Sequence, residues 1–395
     1  MAQLRQALIL TRKGRLRAAP SSLRAQNECT TPLASWHHKR STAVRTLPPH
    51  KGIPLTKIRQ RLQEKKSKVT VHEVARLAGV SESTVSRIMR NQGLVAEATR
   101  AKVMESVRTL GYVPNRIAGS LASLDSFLVG VVVPSLSNIV FPEVLQGVSA
   151  GLKTSNYQAV ISISDYDMDR EETLVRGLLA WKPAAILIAG FDHTMATRRM
   201  LDQSGVRVVE MMDIDSAPID MAVGMSHRHA GYAVGQHLIA RGYRRFGYVG
   251  HDWTADRRAR LRYDGMCEAL GQAGLSFVAH AIADGQSSVA AGRKQTAQLC
   301  ATSSVDVAVY SNDDMAVGGI FHCLAASIRV PDKLAIFGFN GLDIGLELPQ
   351  PLSTMRSNRF LIGQKAIEAI LLAPERPETP SIIDTGFEIF PGATA

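Results

Sequence analysis

Ser81, Glu82, Ser83, Thr84, Ser86 and Arg87 crowd four hydroxyls, a carboxylate and a guanidinium into seven residues. An Arg fork pairs bidentately with guanine, and hydroxyls bond phosphates or base edges, so on a helix this set suits readout of duplex DNA in the major groove. The same pattern also suits the solvated outer face of a small three-helix bundle. Catalytic groupings are missing from the sequence: it holds no phosphate-cradling glycine run, nucleophile elbow or CxxC spacing. The pairs His37–His38 and His227/His229 lack a third ligand nearby. No metal, no cofactor and no enzymatic turnover are therefore expected.

The elements around that polar set are legible. Thr70 and Glu73 have capping-box spacing, and Val71, Val74, Ala75 and Ala78 form one apolar stripe at helical period. Gly79 suits a left-handed C-cap. Ser81 starts a second helix that turns Val85 and Ile88 inward and the polar set, with Arg90, outward. A third helix opens near Thr99 and Arg100, and Pro114 starts a helical tail. From Phe127 the pattern changes. Apolar runs of strand length (Phe127–Val133, Ala159–Ile163, Ala185–Ile188, Val206–Glu210, Phe246–Val249, Val307–Tyr310, Leu334–Phe337) alternate with amphipathic helices. Those helices are Phe141–Leu152, Glu171–Ala180, Ala230–Arg241, Tyr263–Ala273 and Met315–Ala326. Strands buried on both faces and separated by helices mean a doubly wound parallel α/β sheet. Their number calls for two lobes, with a ligand cleft between them at the carboxyl ends of the strands.

The chain has 395 residues and a formal charge of +11. Residues 1–68 hold 16 of the 46 Lys and Arg against only Glu28 and Glu64, so the remainder carries 30 basic and 33 acidic residues and is slightly acidic. The basic balance belongs to the leader, for which disorder is expected from its scattered Pro, Arg, Ser and Thr. It reads as a transit peptide, as an arm with nonspecific DNA affinity, or as sequence ahead of a natural start near residue 65. The division expected is a basic leader 1–66, a helix-turn-helix headpiece 67–113, a hinge helix and linker 114–125, and a two-lobed core 126–395. Cys29, Cys267, Cys300 and Cys323 are far apart and read as reduced thiols in a cytoplasmic protein. No apolar run approaches the roughly 20 residues of a membrane span.

Residues 68–91, KVTVHEVARLAGVSESTVSRIMRN, followed by TLGYVPNRIAGSL, resemble the headpiece of the lactose-repressor (LacI) family. The resemblance continues through VVVPSLSNIVFPEVLQGV, RARLRYDGM, VYSNDDMAVGG and IFGFNGLDI, and so spans about residues 69–390. It is strongest toward the gluconate-repressor branch. It implies a periplasmic-binding-protein-like core that dimerises, or forms a tetramer from dimers, on double-stranded operator DNA and responds to a small-molecule effector. The DNA contacts implied are Thr70, Ser81, Glu82, Ser83, Thr84, Ser86, Arg87, Asn91, Tyr112, Asn115 and Arg116, with Leu121 wedged into the minor groove. Gly119 in the hinge weakens a helix by about 1 kcal/mol relative to Ala.

Effector contacts implied by the resemblance are Ser135 and Phe141 on one lobe and Asp256, Arg258 and Arg262 on the other. Each has a plainer reading: Phe141 as core, Asp256 and Arg258 as part of the surface charge run DRRAR. Asp165, at a strand end, is a candidate acceptor for a sugar hydroxyl, or else an ordinary turn residue. Asn312 is either a ligand contact or a helix cap. Ser287 stands where members that bind flat groups carry an aromatic, which disfavours a purine and favours a polyhydroxy ligand. At Asn340 many members carry Asp, and a neutral amide removes repulsion toward an acid. With the Arg262 fork, these departures point to a sugar acid such as gluconate, with another sugar or sugar phosphate as the alternative. A transport-type sugar-binding protein shares the core, but it would not need a headpiece.

Overall fold

The computed structural model describes residues 69–89, 93–113 and 126–395. They fall into two compact units, divided between Val113 and Pro114. The first is three helices: α1 (Val71–Ala78), α2 (Glu82–Met89) and α3 (Glu97–Leu110). Thr70 and Glu73 close the capping box as its spacing requires, and Gly79 ends α1 at φ 68°. Val74, Ala75, Val85, Ile88 and Val103 form the small core, with Val71 and Ala78 packed at its edge.

The second unit is two lobes of like design. The N-terminal lobe holds β1 (Leu128–Val133), β2 (Gln158–Ile163), β3 (Ala185–Ala189), β4 (Arg207–Asp213), β5 (Met221–Met225) and β11 (Ser381–Asp384). They pair in the order β11-β5-β4-β3-β1-β2, all parallel. The C-terminal lobe holds β6 (Phe246–His251), β7 (Phe277–Ala283), β8 (Val307–Tyr310), β9 (Ala335–Asn340), β10 (Ser353–Ser357) and β12 (Phe387–Phe390). Their order is β12-β10-β9-β8-β6-β7, with only β12 antiparallel. Each sheet has an apolar cluster on both faces, the three-layer arrangement that buried parallel strands demand.

The chain crosses between lobes after β5, after β10 and after β11, so three strands form the hinge. Two helix pairs fix the geometry of the site. In the C-terminal lobe, α7 (His227–Ala240) packs on α8 (Arg257–Gln272) at glycine contacts. A Cβ on Gly231 would collide with the Arg262 carbonyl, and one on Gly265 with that of Arg228. This close approach holds Arg262 against the start of α7. At the hinge, α12 (Arg359–Leu372) packs on α4 (Val140–Leu152), and Arg359, 2% exposed, anchors the crossing. It donates to both Glu143 carboxylate oxygens at 2.8 Å and also to the Asn340 carbonyl across the lobes.

The helix expected from Pro114 lies outside the described residues; within them, the strands and helices expected from the sequence are present, with ends shifted by a few residues. β5, β7, β10, β11 and β12 were not among them, nor were the helices Met195–Gln203, Val289–Thr302 and Arg359–Leu372. Among the described residues no helix is long and apolar enough to cross a membrane.

Candidate functional site

The polar set sits on α2 and at its start. Ser81 Oγ lies 2.8 Å from the hydroxyls of Ser83 and Thr84 and accepts the Thr84 amide, so the three hydroxyls form a connected cluster at the helix N-terminus. Ser81, Glu82, Ser83 and Arg87 are exposed, while Thr84 and Ser86 are half-buried. Glu82 meets His72 Nδ1 of α1 at 2.8 Å. Arg87 projects outward, and no group among the described residues pairs with its guanidinium. Thr70 is exposed, but its hydroxyl is engaged with Glu73 in the cap. Tyr112 is half-buried against the headpiece core rather than on the exposed face, because its amide follows the C-cap turn back onto Val107. Asn91, Asn115, Arg116 and Leu121 lie outside the described residues, as do the leader, the hinge and the His37–His38 pair.

Between the lobes, beside the hinge crossovers, lies a cavity of about 260 Å³. Its C-terminal wall carries Arg258, Arg262, His251, Asp256, Ser287, Asn312 and Asn340. Arg262 is 7% exposed. It donates to the Ser311 carbonyl at 2.8 Å and toward His227 Nδ1 at 3.2 Å, and its face lies 5.2 Å from the Phe339 ring. Its Nε is buried and has no hydrogen-bond partner. His227 is driven well below the usual histidine range by burial and then by the Arg262 and Arg258 charges. It is therefore neutral, which lets Nδ1 accept from Arg262 while Nε2 donates to the Met212 carbonyl at 3.0 Å.

Asp256 caps α8 through the Ala259 amide and reaches His251 Nε2 at 3.4 Å. Burial opposes its ionisation, but the His251 contact and the charges of Arg258 and Arg262 hold it far below the ordinary carboxylate range. His251 Nδ1 sits 2.9 Å from the Ser311 hydroxyl. Asn312 Oδ1 caps the next helix, α10 (Asp313–Ala325), by accepting from Met315, which leaves its amide nitrogen for a ligand. The helix-cap reading is thus met, and the cap is compatible with a ligand contact. Asn340 ends β9 at φ 120°, its carbonyl taken by Arg359.

The N-terminal wall is Ser135, Ser137, Asn138 and Tyr166. Ser135 Oγ accepts from the amides of Ser137 and Asn138, and Asn138 Nδ2 donates to the Tyr166 hydroxyl at 3.1 Å.

Two expected contacts require correction. Phe141 is fully buried in the N-terminal core and does not line the cavity; its ring instead lies 5.4 Å from the Arg258 guanidinium. Asp165 is exposed and pairs with Arg170, away from the cleft. Both Asp165 and Tyr166 turn at positive φ, 55° and 61°, and that turn presents the tyrosine where the aspartate was expected. His227, His251, Tyr166, Asn138 and Ser137 are among the cleft residues the sequence reading overlooked. The rule that ligands meet strand carboxyl ends would have flagged His251, the last residue of β6. His229 stacks edge-on against Phe387 and does not line the cavity.

Among the described residues no group of three His, Cys, Asp or Glu could hold a metal ion. The walls offer guanidinium groups, imidazoles, amides and hydroxyls, a set suited to holding a polar ligand.

Comparison with known proteins agrees with this geometry. Residues 70–115 match the family described as bacterial regulatory proteins, lacI family, and residues 235–390 match a periplasmic binding protein-like domain. The HTH-type transcriptional regulator GntR of Pseudomonas aeruginosa is 40% identical over 324 residues, covering 81% of this chain and 94% of its own. The regulator of the same name in Escherichia coli K12 is 34% identical over 340 residues, covering 84% and 99%. The crystal structure of a LacI-family transcriptional regulator from Silicibacter pomeroyi is 42% identical with a TM-score of 0.76, covering 82% of this chain and 99% of that one.

Proposed function

Because the chain belongs to the LacI family of DNA-binding transcriptional regulators, we propose that its effector is gluconate or a related sugar acid and that the genes it represses serve the use of that acid. The observation that carries this reading is the Arg262 Nε, a cationic donor buried in the cavity wall without a partner. A buried donor left unsatisfied costs about 1–3 kcal/mol, more on a charged group, and a ligand oxyanion would satisfy it. The hydroxyls and amides of Ser135, Ser137, Asn138 and Tyr166 suit the hydroxyl groups of an open-chain polyol. A cavity of about 260 Å³ suits a ligand of that size. Relatives named GntR, at 34–40% identity, lend the same support.

On DNA, Glu82, Ser83 and Arg87 are assigned to base edges, and Ser81, Thr84 and Ser86 to phosphates. The active species is assigned as a homodimer. The edge strand β7 exposes Val278 and Ile282, and α10 exposes Phe321 and Leu324, apolar surface suited to a second copy. The dimer should occupy a two-fold symmetric operator, with residues 114–125 joining each headpiece to its core.

The test is a thermal-shift screen of sugar acids, neutral sugars, sugar phosphates and purines, followed by operator binding with each hit. The reading requires a sugar acid to raise the melting temperature and to change operator affinity. Stabilisation by purines or neutral sugars alone would overturn it. On the DNA side, Arg87→Ala should cost roughly 1–3 kcal/mol on operator and relax one base position, whereas equal loss on random DNA would reduce Arg87 to a phosphate contact.

A further inference from the structure

We infer, resting on the cleft as the effector site, that Arg257 is a clasp between the lobes that sets how far they favour the effector-holding arrangement. Arg257 is the first residue of α8, in the C-terminal lobe, yet its guanidinium is bonded to the other lobe. Nη1 donates to Asp213 Oδ2 at 3.2 Å and Nη2 donates to Ser216 Oγ at 2.9 Å. Asp192 lies 3.9 Å from Nε on the same side.

The two ends of the bridge differ in setting. The Asp213 side chain is 1% exposed at the carboxyl end of β4, whereas that of Arg257 is 31% exposed. Asp213 Oδ1 is already engaged by the Asp215 amide at 2.8 Å, so the carboxylate is held in place for a partner arriving from outside. Burial, and the nearby Asp215 charge, push this carboxyl up to about 6, while Arg257 and Arg258 pull it down. A buried carboxylate deprived of its cation is costly. The lobes therefore gain from approaching one another closely enough to bring Arg257 onto Asp213.

The position of the clasp separates it from ligand recognition. Arg257 borders a second cavity of about 510 Å³ with Asp213, Asp192 and Phe191, and it is not among the residues around the first cavity. The two cavities share Tyr166, Asp256 and Arg258 and so are neighbouring parts of one cleft, and Arg257 borders only the second. The hinge strands are covalent and persist however the lobes move. The Arg257 bridge exists only when they are close, which makes it a contact that differs between the two arrangements. Only such a contact can shift their populations. An effector gripped by both walls binds the close arrangement, and its apparent affinity falls in proportion to any loss of that population.

The test compares Arg257→Gln, Asp213→Asn and the double variant in the full-length protein, with Arg257→Lys as a milder change that keeps the charge but loses the fork. Two readouts are taken: sugar-acid affinity by calorimetry, using gluconate and its C4 epimer galactonate, and the ligand-free interlobe distance distribution from paired spin labels, one on each lobe. The clasp predicts a roughly 5- to 30-fold weaker affinity in each Gln or Asn variant. The gluconate-to-galactonate ratio should stay unchanged, the double variant should be no weaker than the singles, and the distances should lengthen. Additive losses, an altered ratio or an unchanged distance distribution would each overturn it. Should the wild type bind no sugar acid, the effector reading fails on its own, and the distance distributions still decide the clasp.

Discussion

The two walls of the cleft are made of different chemistry. The C-terminal wall is ionic and already assembled: Arg262, His227, Ser311, His251 and Asp256 are tied to one another by direct contacts before any ligand arrives. The N-terminal wall is neutral, built of Ser135, Ser137, Asn138 and Tyr166 on a loop and a turn. The difference assigns the work. Charge recognition belongs to a rigid lobe where orientation costs nothing at the moment of binding. The neutral wall can close over a polyol without bringing a second charge that would need desolvation. Binding strength should therefore reside mainly on one wall, with the other contributing closure and the choice among hydroxyl patterns.

The strongest test removes the centre of the ionic wall. Arg262→Ala deletes a buried guanidinium that meets the Ser311 carbonyl and His227 and whose Nε awaits a partner. Truncating one member of a buried hydrogen-bonded charge pair costs about 2–5 kcal/mol, so effector affinity should fall thirtyfold or more. Operator affinity without effector should remain within a few-fold, because the headpiece does not use this residue. Calorimetry and an operator shift assay read the two separately. A variant that still responds normally to gluconate would remove the ionic wall from recognition.

How much of this was visible beforehand depends on sequence distance. Headpiece features are set by neighbours, such as Thr70 with Glu73 and Val85 with Ile88, and they could be read directly. Strands buried on both faces, such as Leu128–Val133, announced themselves as apolar runs. Ser353–Ser357 did not, because STMRS reads as a loop; its buried hydroxyls are satisfied by Pro391 and Asp313, which no local pattern reveals. The cleft follows the same rule. Arg262 was legible only through family resemblance. His251 and Arg257 depend on partners 60 and 44 residues away. Asp165 was chosen over Tyr166 because nothing in the sequence fixes the left-handed turn that swaps their directions.

A charge does exist in the N-terminal lobe, but behind the wall. His193, with its side chain fully buried, meets Glu171 at 2.7 Å and lies 3.6 Å from Glu210, ion-pair range but too long for a hydrogen bond. Burial opposes its protonation, yet these two carboxylates overcome it and raise the imidazole to about 9. A histidine raised on folding stabilises below its unfolded pKa, and that stability is lost as pH climbs through the folded value. About 3 kcal/mol of stability should therefore be present near pH 6 and disappear between about pH 6.5 and 9. Denaturant melts across this range should show the fall in wild type, and His193→Gln should flatten it. Effector affinity at pH 6 should barely move. A large loss of affinity in His193→Gln would mean that the charge serves the wall after all.

The smallest effects belong to the neutral wall itself. Tyr166→Phe removes one hydroxyl that accepts from Asn138 at 3.1 Å, and Ser135→Ala removes the acceptor for the Ser137 and Asn138 amides. A neutral hydrogen bond contributes a net 0.5–1.5 kcal/mol or so, which predicts losses of about two- to tenfold in effector affinity. The pattern of loss is the sharper signal. Because these groups face the polyol rather than the carboxylate, each variant should change the gluconate-to-galactonate ratio while leaving binding of short hydroxy acids, which cannot span the cleft, nearly unchanged. Arg262→Ala should weaken every acid alike. Competition calorimetry across a series of acids of rising length would display both patterns. If Tyr166→Phe weakened short and long acids equally, the separation of charge recognition from hydroxyl recognition would collapse.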